Sequence, residues 1–160
     1  MSEQRQKVSI SRAKTEDIKS ISELVIRLKK LNEEFDPLLK VREDALGRAQ
    51  EEYRECVENP ECVVLVAKKG DKVVGVVKAK TRERVYYQPR IEGAIIDFYV
   101  MPEYRRQKLG EQMIAEVISQ LKRKGAGIIV AEFPFQNKIA STFYQKLGFR
   151  PVIGIFGKPD

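Results

Sequence analysis

Residues 95–110, Ile-Ile-Asp-Phe-Tyr-Val-Met-Pro-Glu-Tyr-Arg-Arg-Gln-Lys-Leu-Gly, constrain this chain more than any other stretch. An apolar run of strand character stops at Pro102, a basic loop follows, and a helix opens with Leu109, Met113, Ile114, Val117, Ile118 and Leu121 along one stripe. The first N–H groups of a helix lack internal partners, and the peptide dipoles add about half a positive charge there. With Arg105, Arg106 and Lys108 beside it, such a junction suits an anion, and a phosphate above all. Gly110 leaves no side chain where a ligand would approach the backbone.

The rest of the sequence narrows what the junction can serve. A chain of 160 residues without a shift in composition reads as a single domain, 1–160. Its net charge of +7 fits either attraction to nucleic acid or local charge for a polyanionic cofactor. Much of that charge lies on helix faces, at Arg27, Lys29 and Lys30 and again at Lys122, Arg123 and Lys124, and no nucleic-acid motif accompanies it. A nucleic-acid partner is therefore not expected. The absence of histidine excludes a Ser-His-Asp or Cys-His machine and any histidine-ligated metal. Cys56 and Cys62 have five residues between them and no second pair, so free thiols are expected and no metal site. No leader-like apolar segment opens the chain and no later run could span a bilayer, which points to the cytoplasm and away from membranes.

Taken in order, Val8–Arg12 alternates as a strand does, and Thr15 is placed to cap a helix carrying Ile18, Ile21, Leu24, Val25 and Leu28. That helix should stop at Asp36-Pro37, and a second should run over about 42–58 to Asn59-Pro60. Cys62–Ala67 and Val73–Ala79 read as a hairpin, continued outward by Lys78, Lys80, Arg82 and Arg84 on an exposed strand or loop. Strands are expected at Glu92–Val100, Ile128–Phe133 and Val152–Phe156, and a last helix capped by Asn137, packed through Ala140, Phe143, Tyr144 and Leu147, and closed by Gly148.

Two stretches resemble one family. Val100, Pro102, Arg105 and Gly110 match the Val-x-Pro-x-x-Arg and Arg-x-x-Gly-x-Gly signature of the GNAT superfamily of N-acetyltransferases, with Lys108 where the first glycine is expected. Asn137, Ala140, Phe143, Tyr144, Lys146, Leu147, Gly148 and Phe149 resemble its second motif, and Ser11 to Asp17 its opening. The resemblance implies an α/β fold with a mixed, mostly antiparallel sheet of about six strands, flanked by about four helices and splayed at the cofactor site. It also implies acetyl-CoA as cosubstrate. Arg105, Arg106, Gln107, Lys108, Leu109, Gly110 and Glu111 would then hold the pyrophosphate, and the backbone of Phe98, Tyr99 and Val100 the pantetheine arm. Asn137 would contact that arm, and Tyr144 would serve as general acid toward the departing sulfur. Phe35, Leu38, Leu39 and Tyr53 lie where the family lines its acceptor pocket, although apolar residues at such spacing are core more often than pocket.

The implied reaction is direct acetyl transfer to a primary amine of a small molecule or protein, through a ternary complex. An amine must lose a proton before it attacks, and without histidine a carboxylate must assist: Asp97 first, then Glu92 and Glu132. Asp97 has an alternative reading as a structural carboxylate. Lys108 supports a rival in which the fold binds CoA without catalysis. The free sheet edge beyond the last strand is expected to stay short or to be completed by a second copy in a homodimer.

Overall fold

The computed structural model describes residues 7–160, apart from the side chains of Arg106 and Gln107. Residues 1–6, which include most of the stretch read for a leader, lie outside the described part.

The frame is a five-stranded sheet in the order β1-β2-β3-β4-β5: β1 Val8–Arg12, β2 Cys62–Lys69, β3 Lys72–Glu83, β4 Ile91–Val100 and β5 Ile128–Ala131. The first four are antiparallel neighbours and β4 pairs β5 in parallel. Among the described residues four α-helices accompany them, α1 Ile18–Phe35, α2 Ala45–Glu58, α3 Leu109–Arg123 and α4 Lys138–Lys146. Parallel pairing requires a crossover, and α3 supplies it.

Successive strand residues face opposite sides, so β3 can be read from its contacts. A Cβ at Gly75 would meet Met113 of α3, whereas Lys78 on the other face meets Glu52 of α2. The sheet therefore lies between α3 and the α1–α2 pair. On the α3 side, Leu109, Met113, Ile114, Val117 and Leu121 are buried, as their spacing predicts. On the other, Ile21, Leu24 and Val25 of α1 and Tyr53 of α2 close the core. This two-sided cover explains why β2 is buried over Cys62–Ala67.

Four expectations need correction. Thr15 does not cap α1; it begins a short 3-10 turn, and Asp17 precedes the helix. The Asp17 carboxylate is taken by the Lys14 N–H at 2.9 Å and by Lys68 at 2.7 Å. Lys78 is not an outward residue of a fraying strand: β3 continues to Glu83, α2 covers it, and the residue is 3% exposed. Ile128–Phe133 is a strand only to Ala131. Val152–Phe156 makes no strand; the segment runs without a sheet neighbour, with Val152 58% and Phe156 99% exposed. High β propensity builds a strand only where an edge is within reach.

The seating of α3 on β4 rests on a missing side chain. A Cβ at Gly93 would stand 3.0 Å from Leu121 Cβ and 3.1 Å from Ile129 Cδ1. Gly93→Ala should therefore lower stability by about 1–3 kcal/mol through overpacking, measured by urea denaturation; an unchanged midpoint would mean that the helix is free to shift.

Candidate active site

The site forms where β4 outlasts β5. Pairing between them covers Glu92 to Ile95 on β4, and the last link is the Glu132 N–H donating to the Ile95 carbonyl at 3.0 Å. Beyond it, among the described residues, β4 continues to Val100 paired only with β3. At about 3.3 Å per residue, Ile96–Val100 gives some 16 Å of open edge. An unpaired edge beside a cleft can hydrogen-bond an extended amide-bearing ligand. Phe98, Tyr99 and Val100 lie on this open stretch.

A 3-10 turn, Pro102–Gln107, connects the open edge to α3. Arg105 pins the connection: its Nε donates to the Val100 carbonyl at 2.8 Å, and its guanidinium lies 5.4 Å from the Tyr99 ring centroid. Lys108, exposed at the mouth of α3, has φ 57° and ψ 15°, the left-handed conformation. A glycine enters that region at little cost, while another residue gives up about 1–2 kcal/mol. Lys108 therefore keeps the turn a glycine would make. Leu109 anchors the first helical turn in the core at 3% exposure, and Glu111 is exposed within it. Gly110 serves packing directly, because a Cβ there would stand 3.2 Å from Phe98 Cζ. Arg106 and Gln107 belong to the same turn, but their side chains lie outside the described residues. The uncapped N–H groups of α3, the open β4 edge and the cationic loop together fit a ligand with a polyphosphate head and an amide-bearing arm.

Beside the open edge stands α4. Asn137 caps it, its Oδ1 accepting from the Ala140 N–H at 3.0 Å. Tyr144 is 4% exposed in an aromatic nest: Phe133 stacks on it at 5.4 Å and 9°, and Phe143 and Phe149 meet it edge-on at 5.2 Å. Phe143 also stacks on Phe98 of β4 at 5.7 Å, which ties α4 to the open strand. Burial raises the Tyr144 hydroxyl well above the ordinary tyrosine value, so it keeps its proton at neutral pH. Among the described residues that hydroxyl makes no hydrogen bond.

Asp97 is the buried centre of the opposite face. It accepts from Lys29 of α1 at 2.6 Å and from the Tyr53 hydroxyl of α2 at 2.8 Å, with Lys78 of β3 at 3.4 Å. Lys78 also pairs with Glu52. Burial pushes the Asp97 carboxyl up, but Lys29 and Lys78, with the hydrogen bonds from Lys29 and Tyr53, outweigh it and hold the group below the usual carboxylate range. Tyr53 is raised by burial first and then by Asp97, and stays a donor. The β3–β4 register shifts at this point, between Lys78 and Ala79. Of the acceptor-region candidates, Tyr53 is fully buried in this network, while Leu38 and Leu39 are 51% and 43% exposed and Phe35 ends α1. Glu92 and Glu132 share Arg82, at 3.4 and 3.0 Å. Sequence reading missed the partners of Asp97, since Lys29 and Tyr53 lie far from it along the chain and carry no motif. It also missed Phe133, for which the nearby Tyr144 motif was the only signal.

The family model of the acetyltransferase (GNAT) family matches residues 27–149. The chain belongs to this family. Over 84 residues it is 31% identical to N-alpha-acetyltransferase 30 of Schizosaccharomyces pombe, a match covering 52% of this chain and 55% of that protein. Over 58 residues it is 31% identical to the ribosomal protein bS18-alanine N-acetyltransferase of Escherichia coli K12, covering 36% of this chain and 39% of the relative. The chain thus spans about half, or less, of the curated relatives it matches. A predicted acetyltransferase from Clostridium acetobutylicum, solved with acetyl-CoA, superposes with a TM-score of 0.79 at 13% identity over 96% of both chains. This GNAT-type fold carries α/β architecture, a mixed sheet and four helices, as the two motifs imply. Among the described residues no helix is long and apolar enough to cross a membrane, and no cluster of three or more Cys, Asp or Glu is placed to hold a metal.

Two measurements follow from the geometry. Lys108→Gly should raise stability by up to about 1 kcal/mol, the left-handed strain being partly offset by a more flexible unfolded chain; a loss in the denaturation midpoint would contradict the strain. Asp97→Asn should cost about 1–3 kcal/mol at neutral pH by weakening the charged hydrogen bonds from half-exposed Lys29 and from Tyr53 and leaving buried Lys78 with Glu52 alone. Because the folded pKa is depressed, the wild-type stabilisation is complete above about pH 4 and fades as pH falls through the lower folded value. The gap between variant and wild type should therefore narrow in acid, in denaturation curves taken across pH; a constant gap would exclude an ionised Asp97.

Proposed function

We propose that this protein transfers the acetyl group of acetyl-CoA directly to a primary amine, and that the amine is the N-terminal α-amine of a protein or peptide. The observation that carries the reading is the open β4 edge, facing the Tyr144-bearing helix and leading to a cationic helix mouth. Phe98, Tyr99 and Val100 would bind the pantetheine amides, and the backbone of the Lys108–Glu111 segment the pyrophosphate. Asn137, already capping α4, would offer its remaining amide N–H to the arm.

The chemistry needs little from the side chains. The amine nitrogen attacks the thioester carbonyl carbon, the carbon–sulfur bond breaks, and Tyr144 gives its phenolic proton to the departing sulfur, to be restored from water. An α-amine with pKa near 8 is about a tenth unprotonated at pH 7, whereas a lysine amine near 10.4 is unprotonated less than once in a thousand. A site without histidine suits the former. Asp97, held by two ammonium groups and a phenol, is better suited to position β4 than to take a proton. Glu132 is a more accessible acceptor, through water, where β4 and β5 part. The relatives named above are called an N-alpha-acetyltransferase and a ribosomal protein bS18-alanine N-acetyltransferase, which supports an α-amine of a protein as the acceptor. The preserved turn at Lys108 argues for a binding-competent loop and against a module that has lost its function.

The test measures free CoA release over peptides with free N-termini, peptides with only lysine amines, polyamines and an aminoglycoside. Turnover confined to free N-termini is expected, and Tyr144→Phe should lower it roughly a hundredfold with acetyl-CoA affinity nearly unchanged. Equal turnover by the variant would remove Tyr144 from its role, and turnover on polyamines or the antibiotic alone would overturn the acceptor.

A further inference from the structure

Outside the candidate active site, the most built feature is the joint between α2 and β2. Cys56 lies in the last turn of α2 and Cys62 begins β2, with Sγ atoms 2.8 Å apart. The intervening reversal is pinned three times: the Asn59 N–H donates to the Cys56 carbonyl at 3.2 Å, the Cys62 N–H to the Asn59 carbonyl at 3.0 Å, and the Glu61 N–H to Asn59 Oδ1 at 2.9 Å. Backbone geometry therefore holds the two thiols together. Both line a cavity of about 210 Å³ with Glu52, Glu55, Lys78 and Lys80, in which Cys56 is half-buried and Cys62 buried.

We propose that Cys56 and Cys62 are a modification site: a dithiol that closes reversibly to an intramolecular disulfide, fastening the end of α2 to the start of β2. The oxidant is a small-molecule disulfide such as oxidised glutathione. Cys56, the more exposed of the pair, attacks one sulfur of that disulfide as a thiolate, forms a mixed disulfide and releases one glutathione thiol. Cys62 then attacks the Cys56 sulfur and releases the second. Two protons leave the protein thiols and two electrons pass to the glutathione sulfurs. Burial, then the neighbouring Cys62, push the Cys56 thiol up to about 12, so at neutral pH the reaction is slow and it quickens in alkali. The consequence is mechanical. Helix α2 carries Tyr53 and Glu52, which hold Asp97 and its partner Lys78, so fastening its end steadies that network. The proposal is independent of the transferase reading.

The experiment incubates the full chain with oxidised glutathione at mildly alkaline pH, alkylates under denaturing conditions and digests with trypsin. Both cysteines fall in one peptide, Glu55–Lys68, since no Lys or Arg lies between Arg54 and Lys68. That peptide should appear unalkylated and lighter by two hydrogens. The oxidised protein should melt roughly 5 °C higher, as expected of a short closed loop in a domain of this size, and dithiothreitol should reverse both changes. Cys56→Ser and Cys62→Ser, checked for native circular dichroism, should show neither change; wild-type oxidation reads out even if one variant folds poorly. Full alkylation of both thiols, two separate glutathione adducts, or disulfide-linked dimers would each overturn the proposal.

Discussion

One strand with two neighbours along half its length and a single neighbour along the rest is the constraint from which this structure follows. β4 is closed by β3 throughout, but β5 leaves it after Ile95. Buried backbone groups left without partners are costly, so the open half persists only if water or a ligand satisfies it. The elements around it keep the gap from collapsing. Phe143 packs on Phe98 from one side, and Arg105 ties the strand's last carbonyl to the loop beyond.

The strand must also be held at a fixed height, and that role falls on the opposite face of the sheet. Asp97 collects Lys29, Tyr53 and Lys78 from three different elements where the register of β3 and β4 shifts. A buried carboxylate is tolerated only when its charge and lone pairs are met. Here they are met by groups that join α1 and α2 to β4. The same network immobilises the carboxylate that composition alone would nominate as a base. The α1–α2 layer is thus coupled to the strand proposed to bind the cofactor.

Much of this was legible before any coordinates. The α3 stripe, the hairpin between β2 and β3, the stop at Asp36-Pro37, and the capping of α4 by Asn137 all follow from local rules, and all appear. Where sequence reading failed, the deciding contact was distant. Lys78 looked like a surface lysine because alternation cannot tell which face a helix will cover. Val152–Phe156 looked like a strand because propensity does not say whether an edge is free beside it. Thr15 does not cap α1 because a 3-10 turn intervenes, and Asp17, paired with Lys68 of β2, stands before the helix.

The sequence by itself determined the periodicities, the turn at Pro102, the charged helix mouth and the pairing of two motifs that mark the acetyltransferase family, since each depends on neighbours within a few residues. Only the tertiary structure decided that Lys108 takes a left-handed backbone, that Asp97 is locked by lysines from α1 and β3, and that two cysteines lie sulfur to sulfur. Those outcomes depend on which faces meet once the sheet is covered on both sides, and that meeting is a property of packing among remote segments that no local pattern encodes.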